Sequence, residues 1–145
     1  MNRPDDPFDL ERFTAAQDPV WTEVQSELAR GRKRSHWMWF VFPQLAGLGR
    51  STMAQFYGLQ DLEEARAYLA HPVLGERLRA CCAALLVHAG RPAEDILGAI
   101  DAMKLRSSLT LFLRASPSEP LLSECLDRFF AGQPDAATDS LLARH

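Results

Sequence analysis

Gly31-Arg32-Lys33-Arg34-Ser35-His36-Trp37-Met38-Trp39-Phe40-Val41-Phe42-Pro43-Gln44-Leu45-Ala46-Gly47-Leu48-Gly49-Arg50-Ser51 is the stretch on which the fold class turns. In its centre, residues 37–42, aromatics and Val41 raise strand propensity. No other segment alternates apolar and polar residues between hairpin turns, so a strand here has no partner in the chain. The segment is therefore read as helical or irregular.

Outward from it, prolines and caps open helices and glycines close them. Asp9 is expected to cap a first short helix reaching residue 16. Asp18-Pro19 reads as an N-cap followed by proline at the first helical position. Val20, Val24 and Leu28 then form one apolar face, and Gly31 ends that helix. Ser51 caps a helix to residue 57, and Asp61 with Glu64 has capping-box spacing ahead of Leu62, Ala65, Tyr68 and Leu69. Pro72 opens a helix with Leu74, Leu78, Cys81, Cys82, Leu85 and Leu86 inward, stopped by Gly90. A short helix over 92–97 stops at Gly98. Two more follow over 101–115, with Met103, Leu105, Leu109, Phe112 and Leu113 inward, and over 118–131, closed by Gly132. The tail adds a last turn or two through Leu141 and Leu142. The expectation is all-α: one compact domain spanning residues 1–145, about eight short helices with short loops, and a flexible arm at 1–7.

Composition agrees. In 145 residues, 47% are apolar and 24% charged, ordinary for a globular chain that buries a core. A net charge of -3 gives no global attraction to nucleic acid or anionic membrane, so neither is an expected partner. No apolar run follows Met1, so no secretory leader is expected. The longest apolar run, Ala83-Ala84-Leu85-Leu86-Val87, is too short to span a bilayer. Three cysteines, two of them adjacent, argue against a disulfide framework and for a reducing cytoplasm. No Cys-x-x-Cys or His-x-x-x-His spacing suggests a metal, and no cofactor is expected.

Two polar concentrations carry the candidate chemistry. In the first, His36 stands between a basic run and two tryptophans, where an imidazole serves as general acid or base or as a hydrogen-bonded structural group. Arg34 could clamp a phosphate or carboxylate, or lie on a solvated face with Arg32 and Lys33. Trp37 or Trp39 could offer a stacking plane while the remaining aromatics pack the core; sequence does not choose between them. Gln44 and Ser51 could orient a ligand, and the Gly47-Leu48-Gly49-Arg50-Ser51 turn could offer backbone N–H groups to an anion. In the second, Asp101-Ala102-Met103-Lys104-Leu105-Arg106-Ser107-Ser108, Lys104 shares a helix face with Ser107 and with Ser108. Lys104 is read as an anion ligand or an activated amine, against an exposed lysine whose neighbouring serines bond back to the helix.

The stretch 34–51 resembles the signature of an uncharacterised bacterial family of about this length. The resemblance continues through Ala65-Arg66-Ala67-Tyr68-Leu69-Ala70-His71-Pro72-Val73-Leu74-Gly75 and Lys104-Leu105-Arg106-Ser107-Ser108-Leu109-Thr110-Leu111-Phe112. It implies a small, mostly α-helical domain of unknown function. Such proteins are often labelled calpastatin, but an inhibitor of that kind is an extended disordered chain, unlike the compact core this composition dictates. A fainter likeness to helical proteins that process ADP-ribose or riboflavin intermediates rests, as analogy, on helical character and a Trp/Lys-containing pocket.

Two functional readings follow. In the first, the chain is a cytoplasmic binding protein or enzyme for a small anionic metabolite, a nucleotide or ADP-ribose derivative. Arg34 and Lys104 neutralise its charge, Trp39 stacks, Gln44, Ser51 and Ser108 orient it, and His36 moves a proton. That requires the fold to join two distant stretches of chain. In the second, the chain is a non-enzymatic module docking a protein partner through the Trp-rich segment.

Overall fold

The computed structural model describes residues 4–145; among them the only β pairing is an isolated parallel bridge between Leu45 and Leu59. Helix α1 (Glu11–Gln17) passes through a 3-10 turn (Asp18–Val20) into α2 (Trp21–Arg30). Then come α3 (Met38–Val41), α4 (Thr52–Tyr57), α5 (Leu62–Ala70), α6 (Leu74–Leu86) and α7 (Ala93–Leu97). The chain ends with α8 (Ala99–Ala115), α9 (Pro120–Phe130) and α10 (Ala136–Leu142). The all-α expectation holds. The helices outnumber the expectation because residues 38–41 close a turn of their own and the tail folds as α10.

The aromatic segment becomes a helical turn because its backbone finds partners locally. Val41 N–H donates to Trp37 O at 3.1 Å and Phe42 N–H to Met38 O at 3.0 Å. Trp37, Met38, Phe40, Val41 and Phe42 are all buried. The buried Gln17 amide donates to Phe40 O at 2.7 Å and to the Tyr68 hydroxyl at 3.1 Å, so the polar groups sealed in with these rings are paired.

Helix α8 is the axis of the fold. It packs against α5, α7, α9 and α10, while α6 packs against α2, α5 and α9. Leu105, Leu109, Leu111 and Phe112 are fully enclosed. Truncating any of these to alanine costs about 2–5 kcal/mol. Met103, expected inward, is 71% exposed, and Ile100 beside it is 72% exposed. Ala102 and Leu105 carry the inner face of the first turns of α8, and Ile100 and Met103 lie on the outer one.

Local details correct the sequence reading in places. Asp6, not Asp9, caps α1: its carboxylate accepts from Leu10 N–H at 2.8 Å and Glu11 N–H at 3.0 Å. Asp9 instead takes a φ of 52 in the turn before it. Of the arm expected over 1–7, residues 1–3 lie outside the described residues. Pro19 sits in the 3-10 turn, so α2 starts at Trp21 rather than beside the proline. Gly31 does end α2, with φ 69, and a Cβ there would press on the His88 ring at 3.0 Å. Ala131, with φ 53, takes the left-handed C-cap of α9 one residue ahead of Gly132.

Candidate functional site

The site begins with the carboxylate of Glu27 on α2, which is 5% exposed. It accepts four hydrogen bonds from the following loop. The Arg34 N–H donates at 2.7 Å, the Ser35 N–H at 3.0 Å, the Ser35 hydroxyl at 2.6 Å and the Trp37 indole N–H at 3.0 Å. Burial alone would push this carboxyl pKa up. The Ser35 hydroxyl, the two backbone N–H groups and the Trp37 indole outweigh burial and hold it at about 2. From the other side, Lys33 N–H donates to Ile96 O at 2.8 Å, strapping the loop to α7. Loop 31–37 is thus fixed at both edges.

Gly98 then sets the opposite wall. Its φ of 89 turns the chain from α7 into α8, a conformation an L side chain rarely adopts. No side chain caps the N-terminus of α8, and the first backbone bond that closes is Ala102 N–H to Gly98 O at 2.9 Å. The N–H groups of Ala99, Ile100 and Asp101 therefore meet the space in front of the helix.

Between these walls lies a cavity of ≈ 420 Å³. Lys33, His36, Met38 and Trp39 line it from the loop side, and residues 97–101 with Lys104 line it from α7 and α8. Asp101 anchors both lysines: Lys33 Nζ lies 2.8 Å from one carboxylate oxygen and Lys104 Nζ 3.7 Å from the other. Lys33 Nζ also donates to Ser35 O and sits 5.0 Å from the centre of the Trp37 ring. Lys104 Nζ sits 4.5 Å from the centre of the half-buried Trp39 ring. Two ammonium groups, one carboxylate and the positive end of a 17-residue helix leave this hollow attractive to anions.

The indole of Trp39 also forms part of a second, smaller notch with Gln44, Leu45, Tyr57 and Gly58. The bridge that pairs Leu45 with Leu59 builds it: Leu59 N–H donates to Gln44 O at 2.9 Å and Ala46 N–H to Leu59 O at 2.7 Å. Burial pushes the Tyr57 hydroxyl pKa up, against the nearby Arg12 charge, so the phenol stays a donor.

Of the residues singled out from sequence, His36, Trp39 and Lys104 meet in the cavity, and Gln44 lines only the smaller notch that Trp39 shares. The others lie elsewhere. Trp37 is 1% exposed and spends its indole N–H on Glu27, so Trp39 is the tryptophan that reaches open space. Arg34 is exposed and does not line the cavity; its neighbour Lys33 does. The Ser51 hydroxyl caps α4 by accepting from Ala54 N–H at 3.1 Å. Ser107 is buried toward α10, its hydroxyl 3.1 Å from an Asp135 carboxylate oxygen, and Ser108 is fully enclosed. Lys33, Asp101 and Glu27 were not singled out by sequence. The i,i+3 pair Asp101–Lys104 and the glycine joining two helices at 98 are the signals that could have found this end of α8.

Among the described residues no cluster of three His, Cys, Asp or Glu side chains could hold a metal, and no helix is long and apolar enough to cross a membrane. Cys81, Cys82 and Cys125 are free thiols in the core. Comparison with curated proteins gives no match. Among solved structures, the chain is similar to the crystal structure of the conserved hypothetical protein Rv1873 from Mycobacterium tuberculosis, with a TM-score of 0.93 and 51% sequence identity. That similarity covers 95% of this chain and 99% of the other. A family model matches residues 7–142, covering the α2 carboxylate, the loop it holds and the lysine–aspartate hollow alike. The chain belongs to the family described as "Protein of unknown function (DUF1810)".

Proposed function

We propose that this protein is a binding protein or enzyme for a small anionic metabolite of the nucleotide or ADP-ribose type, held between loop 31–37 and the start of α8. One observation carries the reading: side chains far apart in sequence, Lys33, His36 and Trp39 against Asp101 and Lys104, converge on one hollow beside an indole. Lys33 and Lys104 supply charge, Trp39 an aromatic wall, the start of α8 its N–H groups, and His36 a proton-transferring group at the rim. A hollow of ≈ 420 Å³ is within the usual range of small-molecule sites, about 300–1,000 Å³. The reading needs no metal or cofactor, and buried free thiols suit a cytoplasmic setting.

The docking alternative finds few anchors in the aromatic segment. Trp37, Phe40 and Phe42 are buried, leaving Trp39 as the one aromatic of that stretch in partial contact with solvent. A thermal-shift screen against nucleotides, ADP-ribose and other phosphometabolites tests the binding reading. A ligand at about 100 times its Kd stabilises the native state by about 2.7 kcal/mol. The expected result is a hit that His36→Ala and Lys104→Ala both weaken while the fold stays intact. A screen in which no anion shifts the transition overturns the reading.

A further inference from the structure

The two lysines of the hollow are not equivalent. Lys33 is spent: its ammonium lies 2.8 Å from Asp101 and donates to Ser35 O, on a side chain 7% exposed. Lys104 is not. Its ion pair with Asp101 spans 3.7 Å, beyond hydrogen-bond reach, and its ammonium rests over the Trp39 ring, 4.5 Å from the centre. A ring face attracts the charge but offers the N–H groups no oxygen. Among the described residues none accepts a hydrogen bond from Lys104. The N–H groups of Ala99, Ile100 and Asp101 are in the same condition at the start of α8. Helix side chains lean toward the N-terminus, so Lys104 reaches back over this first turn, as its distance to Asp101 records. Three N–H groups of the ammonium and three of the backbone are left for whatever fills the hollow.

Charge and acceptor number together select the occupant. Two ammonium groups against one carboxylate leave one positive charge, and the helix start adds about half of another. A carboxylate or a phosphate diester brings one negative charge and two free oxygens. A phosphate monoester brings about 1.5 to 2 negative charges and three oxygens, enough for two donors each. Beyond Lys33, Lys104, Asp101 and His36, the lining residues are apolar, aromatic or glycine, with no side-chain amide or hydroxyl to read a sugar or a base. Resting on the anion-binding reading above, we propose that the ligand is a phosphate monoester, gripped at its terminal phosphoryl group by Lys104 and the first turn of α8, and that the hollow does not distinguish what carries the phosphate.

Calorimetric titration of the full chain with phenyl phosphate, ribose 5-phosphate and AMP, against cyclic AMP and benzoate, tests this. The three monoesters are expected to bind within about ten-fold of one another, and cyclic AMP and benzoate at least about ten-fold more weakly. Lys104→Ala should weaken all three monoesters by about ten-fold or more. The comparison among ligands on the unaltered protein carries the test if that variant misfolds. If cyclic AMP or benzoate matches the monoesters, or another anion binds and no monoester does, the phosphoryl assignment falls and the anion reading stands. If the monoesters spread over more than about ten-fold, or Lys104→Ala keeps their affinity within about two-fold, the proposal falls as well. If nothing anionic binds, both readings fall together.

Discussion

Glu27 and Asp101 are two carboxylates that flank the same basic loop and do opposite work. Glu27 is 5% exposed and accepts four hydrogen bonds, so nothing remains for a ligand to compete for. The Asp101 side chain is 19% exposed and carries only two ammonium partners, one of them at 3.7 Å. Glu27 is held by N–H and O–H donors, Asp101 by two ammonium groups. The difference lies in how far each is committed: a closed carboxylate fixes backbone, and an open one holds lysines where an incoming anion can take them over. The same contrast separates Trp37, bonded to the closed centre, from Trp39, which stands over the open one.

The contrast breaks hardest at Glu27. Glu27→Ala strips partners from two half-buried backbone N–H groups, the Ser35 hydroxyl and the fully buried Trp37 indole. Each enclosed unpaired donor costs roughly 1–3 kcal/mol, so the variant should lose about 3 kcal/mol or more in urea unfolding, with the Lys33 strap loosened. The wild type should show the matching pH signature. The folded carboxyl pKa is depressed from 4.5 to about 2, so its stabilisation is fully present above pH 4.5 and is lost as pH falls toward 2. An acid-unfolding profile unchanged between wild type and Glu27→Ala would show that this centre does not fix the loop.

Asp101→Asn sharpens the comparison from the other side. Its 2.8 Å pair with Lys33 is largely enclosed, the two side chains being 19% and 7% exposed, so more than a surface pair's roughly 1 kcal/mol of stability is expected to go. The hollow loses its one built-in anion while both lysines remain. Phosphate affinity measured by calorimetry should rise by about ten-fold, more at low salt than at high. A fall in affinity would mean that Asp101 organises the lysines rather than standing in for the ligand, and would erase the distinction from Glu27.

These expectations also mark where sequence was legible. The helices were, because their signals are local: the Ser51 hydroxyl caps α4, Asp61 caps α5 and left-handed Gly31 ends α2 as read. Asp9 failed because Asp6, three residues earlier, reaches the same backbone donors, and chain geometry rather than residue type selects between two aspartates. Met103 failed because it stands two residues, about 200°, from Leu105, on the face opposite the Ala102, Leu105, Leu109 and Phe112 stripe that packs. At the site, His36, Trp39 and Lys104 stood out by composition. Lys33 was hidden among three basic residues; the bond from its N–H to Ile96 O and the ion pair from its ammonium to Asp101 distinguish it from Arg34 only in the fold. The Glu27 carboxylate looks like any other on an amphipathic helix until the loop folds over it.

Ser107 and Ser108, read from sequence as ligand contacts, give the smallest and most discriminating effect. The Ser107 hydroxyl lies 3.2 Å from Met103 O and 3.1 Å from Asp135, so Ser107→Ala should cost about 1 kcal/mol. The Ser108 hydroxyl is fully enclosed and has no partner among the described residues. Alanine removes that unpaired group and raises helix propensity, so Ser108→Ala should stabilise the protein by about 0.5–1 kcal/mol. Opposite signs for adjacent serines on one helix are what a core position and a tertiary contact require. Nucleotide affinity should be unchanged in Ser108→Ala, because one turn beyond Lys104 the helix has already passed from the hollow into the core. Loss of affinity without loss of stability would instead put that hydroxyl at the floor of the site.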